Sequence, residues 1–192
     1  MLPAARGTWL QLVFFEKPYT EDVQLRPAEP NDALAVARVH VRSWQVAYRN
    51  LIPDDFLDRL RPEDRAARYD FATTDVCKPR TILAVERGAI LGFATTSPSR
   101  DPDLPDHGEL CALYVDPPHW GRGIGVALIS AARARISELG FRNALLWVLE
   151  GNVRAERFYR ADRWAPDGVL RTDSRRGVTL HEVRYRRALE TW

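Results

Sequence analysis

Apolar residues at Leu34, Val36, Ala37, Val41, Trp44 and Ala47 recur three and four apart, the spacing of one helical face, and predict a helix from Ala33 to about Tyr48. Its polar face carries Arg38, Arg42 and Gln45, and Asn31 or Asp32 is placed to cap its start. Before it, Val23 to Pro27 alternates apolar and polar residues as a half-buried strand does. Pro53-Asp54-Asp55 and Pro62-Glu63-Asp64 each open a short helix, with acidic residues at the positive end of the dipole. Thr81–Glu86 and Ala89–Thr96 are β-rich runs joined by Arg87-Gly88, a connection of hairpin length.

The pattern then breaks. Ser97 to His107 holds three prolines and three aspartates with no apolar period, and predicts a loop. After it come a strand over Glu109–Val115, a helix over Gly123–Leu139 ended by Gly140, a strand over Asn143–Leu149 and a helix over Asn152–Tyr159. Two further strands, near Trp164–Arg171 and Thr179–Arg187, flank a turn-rich tip at Asp173–Gly177.

Composition narrows the class without naming a function. At 192 residues the chain suffices for one domain, and 45% hydrophobic with 28% charged residues argues against both disorder and a fibre. A formal charge of +2 gives no case for nucleic acid, because its densest basic cluster, Arg171 with Arg175 and Arg176, is short and turn-bound. No apolar stretch approaches the roughly 20 residues needed to span a bilayer, so no membrane partner is expected. Cys77 and Cys111 lie in separate segments, which fits a reduced, cytoplasmic protein. His40, His107, His119 and His181 show no ligand spacing with one another or with the cysteines, and no metal is expected.

The segment Leu113-Tyr114-Val115-Asp116-Pro117-Pro118-His119-Trp120-Gly121-Arg122-Gly123-Ile124-Gly125-Val126 sets closely spaced glycines between a strand and a long helix. Such a turn brings unpaired backbone N–H groups and the helix dipole to an anion without a Cβ in the way. Alone it also fits a tight turn with no ligand. It lacks the G-x-G-x-x-G spacing with its downstream acidic residue, and it lacks the G-K-[ST] ending of a P-loop.

What this segment resembles is the acetyl-CoA signature of the GNAT N-acetyltransferases, Q/R-x-x-G-x-G/A after an L-x-V strand, with Gly123 and Gly125 on the two glycine positions. Asn152-Val153-Arg154-Ala155-Glu156-Arg157-Phe158-Tyr159 is similar to the family's N-x-x-A-x-x-F-Y helix, at the usual distance. The resemblance covers about Val23 to Arg187, and implies an extension over 1–22 followed by a GNAT domain over 23–189. Two positions depart from the pattern: Trp120 stands for Gln/Arg, and Arg163-Trp164 stand for Gly-Phe.

The resemblance implies an α/β (α+β) fold: a mixed, mainly antiparallel sheet of six or seven strands, helices on both faces, and a wedge between the Glu109 and Asn143 strands. Acetyl-CoA is the implied co-substrate. Backbone groups of Leu113, Tyr114 and Val115 would hold the pantetheine arm and thioester carbonyl, aided by a strand bulge. Gly121, Arg122, Gly123, Ile124, Gly125 and Val126 would cradle the pyrophosphate. Asn152 would tie the second helix to the cofactor arm, or simply cap it. Tyr159 is the implied general acid toward the departing thiolate, with a core tyrosine as the alternative. Glu109 is the candidate base, acting through water, with a solvated strand-end carboxylate as the alternative.

Trp44, Tyr48 and Trp147 are candidates for the acceptor pocket, each also readable as core. Trp147 occupies the position where ribosomal-protein N-terminal acetyltransferases of the family carry a base, which argues against a protein N-terminus as acceptor. The reaction expected is direct acetyl transfer from acetyl-CoA to a primary amine of a small molecule in a ternary complex. The alternatives are an acyl-CoA-binding module without turnover and a peptide amine acetyltransferase. A homodimer through the C-terminal strands is one option by analogy, and the identity of the acceptor stays open.

Overall fold

The computed structural model describes residues 22–175 and 177–189, so the expected N-terminal extension lies almost wholly outside the described residues. The elements run β1 (Gln24–Pro27), α1 (Ala33–Ala47), α2 (Asp54–Asp58), α3 (Pro62–Ala66), β2 (Arg80–Glu86), β3 (Ala89–Pro98) and β4 (Gly108–Val115). They continue through α4 (Ile124–Glu138), β5 (Asn143–Leu149), α5 (Val153–Ala161), β6 (Ala165–Arg175) and β7 (Val178–Ala188). In space the seven strands lie in the order β1-β2-β3-β4-β5-β7-β6, and only β4 with β5 is parallel. The mixed, mainly antiparallel sheet is as expected, at the higher of the two strand counts.

Alternation along the strands sorts side chains to two faces. Leu83 and Phe93 pack with Val36 and Val39 beneath α1. Ala84, Leu91 and Ala94 turn the other way and pack with Leu128, Ile129, Ala132 and Ile136 of α4. At the β2–β3 hairpin, Arg87 and Gly88 both take positive φ (50° and 80°), the primed-turn geometry that matches the twist of paired strands.

Three local expectations change. Asp32 stands at the N-cap position of α1 but its side chain makes no cap there, because it is already helical (φ −80°) as the last residue of a 3-10 turn over Pro30–Asp32. Its carboxylate instead accepts from the Glu29 N–H and from both terminal nitrogens of Arg26, tying the turn to β1. β3 continues to Pro98, because Ser97 and Pro98 pair with Glu109 and Gly108. The supposed tip at Asp173–Gly177 is mostly strand, since Asp173, Ser174 and Arg175 pair with β7.

The feature that builds the site is the parting of β4 from β5. These strands pair only through Gly108 with Ala144 and Glu109 with Leu145, then diverge. Just past that point Thr95 faces Ala112 and Thr96 faces Leu110, leaving Cys111 as an unpaired extra residue, a β-bulge. The bulge shifts the phase of alternation: Leu110, Leu113 and Val115 all pack on the α4 side, while Ala112 and Tyr114 face α1.

Candidate active site

Gly121 and Gly123 each adopt φ 78°, a left-handed conformation that costs an L-residue with a Cβ roughly 1–2 kcal/mol. The first intrahelical bond of α4 runs from the Ala127 N–H to the Gly123 carbonyl, so the amides of Ile124, Gly125 and Val126 precede the ladder. Gly125 serves closeness instead of curvature: a Cβ there would meet the Phe158 ring of α5 at 3.3 Å. The three glycines thus bend the chain, expose amides and seat α4 against α5.

The open edge of β4 follows from its register. Asp116 donates its N–H to Leu91 of β3, so by antiparallel alternation Tyr114 also bonds toward β3, while the amides of Leu113 and Val115 turn away into the wedge. The carbonyl of Val115 is taken there by the Trp120 indole N–H (2.7 Å) and the Ser43 hydroxyl (3.1 Å). Trp120, at the Gln/Arg position of the resemblance, thereby fastens the glycine turn to the strand. The Arg154 guanidinium lies 3.5 Å from the centre of its ring.

A cavity of about 600 Å³ runs from the glycine turn through the wedge to the aromatic residues of α1. Every residue singled out from the sequence borders it except Arg122. Arg122 instead bonds Glu86 of β2 at 2.6 Å and sits beside His119, because the turn that exposes the amides carries its side chain toward β2. Beside the glycine turn the cavity wall carries Arg154, two residues into the second motif; burial lowers its pKa, and among the described residues no carboxylate pairs with it.

Asn152 caps α5, its side-chain oxygen accepting from the Ala155 N–H at 3.1 Å, while it also borders the cavity. Tyr159 is 9% exposed and packs against Phe158 and Trp164. Burial, with Tyr114 nearby, raises its phenol well above the usual tyrosine range. Arg163 holds φ 63°, the conformation a glycine would take there, and Trp164 fills the core behind Tyr159. On the other side the Trp44 indole donates to the Tyr114 hydroxyl (2.9 Å), and the Tyr48 hydroxyl lies 3.4 Å from the same oxygen.

Glu109 is buried, and Arg100 forks onto it: Nε to one oxygen at 3.0 Å and a terminal nitrogen to the other at 2.6 Å. Trp147 donates its indole N–H to Asp101 (3.1 Å). Arg184, buried and paired across from Trp147, bonds Asp103 and Asp167 at 2.8 Å each and pins the 99–107 loop to β7. Leu149, Glu182 and Arg171 form one row across β5, β7 and β6, with Arg171 and Glu182 bonded at 2.7 Å. The pairings of Arg100, Arg184 and Glu182 were not legible in the sequence because they depend on strand register and loop closure; only Arg154 carried a local signal, its place inside the second motif.

Cys111, at the bulge, has its thiol pushed up to about 11 by burial and lies 3.2 Å from the Ser97 hydroxyl. Among the described residues no group of histidines, cysteines and carboxylates could hold a metal ion, and no helix is long and apolar enough to cross a membrane.

A wedge with an open strand edge, ending on an amide-lined glycine turn, defines an acyl-transfer scaffold that takes a phosphate-bearing donor. Residues 44–162 match the family model described as the acetyltransferase (GNAT) family. The chain is 31% identical over 167 residues to the uncharacterised N-acetyltransferase YuaI of Bacillus subtilis, spanning 84% of this chain and 90% of that one. It is 34% identical over 158 residues to the mycothiol acetyltransferase of Actinosynnema mirum, spanning 78% of this chain and 48% of that protein. Its fold is shared with the PaiA N-acetyltransferase from Thermoplasma acidophilum, solved in complex with coenzyme A, at TM-score 0.62 and 17% identity over 83% of this chain and 97% of that one. The chain belongs to the acetyltransferase (GNAT) family and is an acyltransferase with acetyl-CoA as its co-substrate.

Proposed function

We propose that the protein transfers the acetyl group of acetyl-CoA directly to the primary amine of a small molecule while both are bound. The observation that carries this reading is the continuity of one cavity from the glycine turn, past the open edge of β4, to Trp44, Tyr48 and Trp147. Donor and acceptor then meet at the wedge without either leaving.

In this reading the amides of Gly121 to Val126 receive the pyrophosphate, and Arg154 on the cavity wall supplies positive charge. The wedge-facing amides of Leu113 and Val115 hold the pantetheine arm and the oxygen that gains charge as the amine attacks, with Tyr114 bracing the strand between them. The amine nitrogen bonds to the thioester carbon, the carbon–sulfur bond breaks, the departing thiolate takes its proton from Tyr159, and the proton the nitrogen sheds as the amide forms restores the phenol. A phenol raised by burial keeps that proton at neutral pH. Glu109 holds a water through the lone pairs that Arg100 leaves uncovered, and the ammonium loses its proton to that water. Alignment supplies most of the acceleration.

Two observations support the finer points. The cavity's cysteine, Cys111, is a buried thiol and a poor nucleophile, which favours direct transfer over an acetylated enzyme. The 99–107 loop, tied to β7 by Arg184, borders the acceptor side and favours a small molecule over a peptide. The free cysteines fit a cytoplasmic location, and the outer edge of β6, where Leu170 is exposed, is the candidate surface for a homodimer.

Calorimetric titration with acetyl-CoA tests the donor half, using Gly123→Asp and Gly125→Asp as folded controls. Micromolar binding by the wild type, lost in both variants, is expected; no binding by the wild type overturns the reading. Intersecting initial-velocity patterns and no acetylated protein by mass spectrometry are expected for direct transfer, and parallel patterns overturn that step.

A further inference from the structure

The acceptor end of the cavity has an unusual balance of charge. Among the described residues four side chains charged at neutral pH border it there: Arg100, Glu109, Arg171 and Glu182. Both carboxylates are already engaged. Glu109 has each oxygen on the Arg100 fork, and Glu182 accepts from Nε of Arg171. A polycationic amine therefore meets no carboxylate without a cation on it.

An anion meets a different surface. Arg171 spends only Nε on Glu182, and its guanidinium carbon lies 4.1 Å from the centre of the Trp147 ring. Its two terminal nitrogens make no hydrogen bond among the described residues. Stacking on one side and a single bond through Nε fix the plane of the fork while leaving its outer edge for a planar oxyanion, the geometry in which arginine reads carboxylates. The side chain is 34% exposed, so a ligand reaches it without displacing the fold. Trp147 itself is held from behind by Asp101.

We infer that the acceptor is an amine that also carries a carboxylate, an amino acid or amino-acid derivative, and that Arg171, stacked on Trp147, binds that carboxylate. This rests on the acetyl-transfer reading above and narrows its acceptor. With the carboxylate fixed at β6, the amine is turned toward the wedge, where Glu109 and the open edge of β4 lie.

The test is a thiol-release assay with acetyl-CoA and the proteinogenic L-amino acids. Each accepted amino acid is compared with its C-terminal amide and its decarboxylated amine, and spermidine serves as the polycation. The acid form is expected to exceed its amide in kcat/KM by about tenfold to hundredfold, the range of one charge-assisted pair. Arg171→Gln is expected to remove that preference by raising KM for the acid at least about tenfold more than for its amide; Arg171→Lys keeps the charge without the fork and is expected to fall between. Turnover confined to spermidine or to amides, acceptance of no carboxylate-bearing amine, or equal loss on acid and amide in Arg171→Gln overturns the inference. Acetyl-CoA calorimetry on the same preparations separates the failures. Intact donor binding assigns a negative result to the acceptor class alone, and lost binding in Arg171→Gln calls for the Arg171→Lys comparison to decide.

Discussion

The indole N–H of Trp120 donates to the carbonyl oxygen of Val115 over 2.7 Å, joining the glycine turn to the strand edge that faces the wedge. The same ring carries Arg154 on its face. One side chain thus sets the distance between the two halves of the donor site, the amides for the pyrophosphate and the edge for the thioester. Trp120→Phe keeps the ring and loses the bond. Its acetyl-CoA Kd is expected to rise about fivefold to tenfold, the worth of about 1 kcal/mol. Trp120→Ala also leaves Arg154 without its platform and is expected to bind more weakly still. Calorimetry checks both, and an unchanged Kd in Trp120→Phe removes Trp120 from the donor site.

Tyr159→Phe is expected to lower kcat by about hundredfold while acetyl-CoA binding and fold are retained, as loss of a general acid requires. Because burial raises this phenol above its usual range near pH 10, kcat should show no alkaline decline from it below about pH 10. The sign for stability is the same: the unfolded chain ionises first, so the contribution of the buried phenol is whole below about pH 10 and is lost as pH rises through the folded value. Wild-type kcat falling between pH 8 and 9, absent in Tyr159→Phe, would contradict the assignment.

Gly108 stands where β4 and β5 begin their short pairing, and a Cβ there would clash with Ile136 of α4. Gly108→Ala forces a buried side chain or the strand to move. A loss of about 1–3 kcal/mol is expected, read as a Tm lower by roughly 2–4 °C per kcal/mol. A Tm within a degree of wild type shows that α4 has slack at this point.

His107 closes the 99–107 loop. A terminal nitrogen of Arg186 lies 3.0 Å from Nε2, and donation there leaves the proton on Nδ1, which is buried and has no hydrogen-bond partner among the described residues. Burial first and Arg186 second push its pKa below the usual value near 6.5. A depressed folded value means stability that is present above about pH 6.5 and lost as pH falls through the folded value. Thermal unfolding from pH 7 to 5 is expected to show this loss, reduced in His107→Gln, which keeps an acceptor for Arg186. Equal slopes in the two proteins would place the acid sensitivity elsewhere.

Much of this architecture is written in local pattern. The face of α1, the hairpin at Arg87-Gly88, the glycine turn and the Asn152 cap each depend on residues close in sequence. Spacing and backbone preference decide such features, so they can be read before any fold is known. The strand ends depend instead on long-range partners: Ser97 and Pro98 are strand because Glu109 and Gly108 lie opposite. The destination of Arg122 likewise hinged on Glu86, 36 residues away.

By itself the sequence determined the order of elements and the glycine turn with the two motifs that flank it, because glycine conformation and helical period act over a few residues. Only the tertiary structure decided which charges face one another. The fork of Arg100 on Glu109, the placement of Arg171 on Trp147 and the burial of Arg184 among three aspartates arise from strand register and loop closure. A shift of one residue in the register of β6 or β7 would send Arg171 or Arg184 to the opposite face of the sheet.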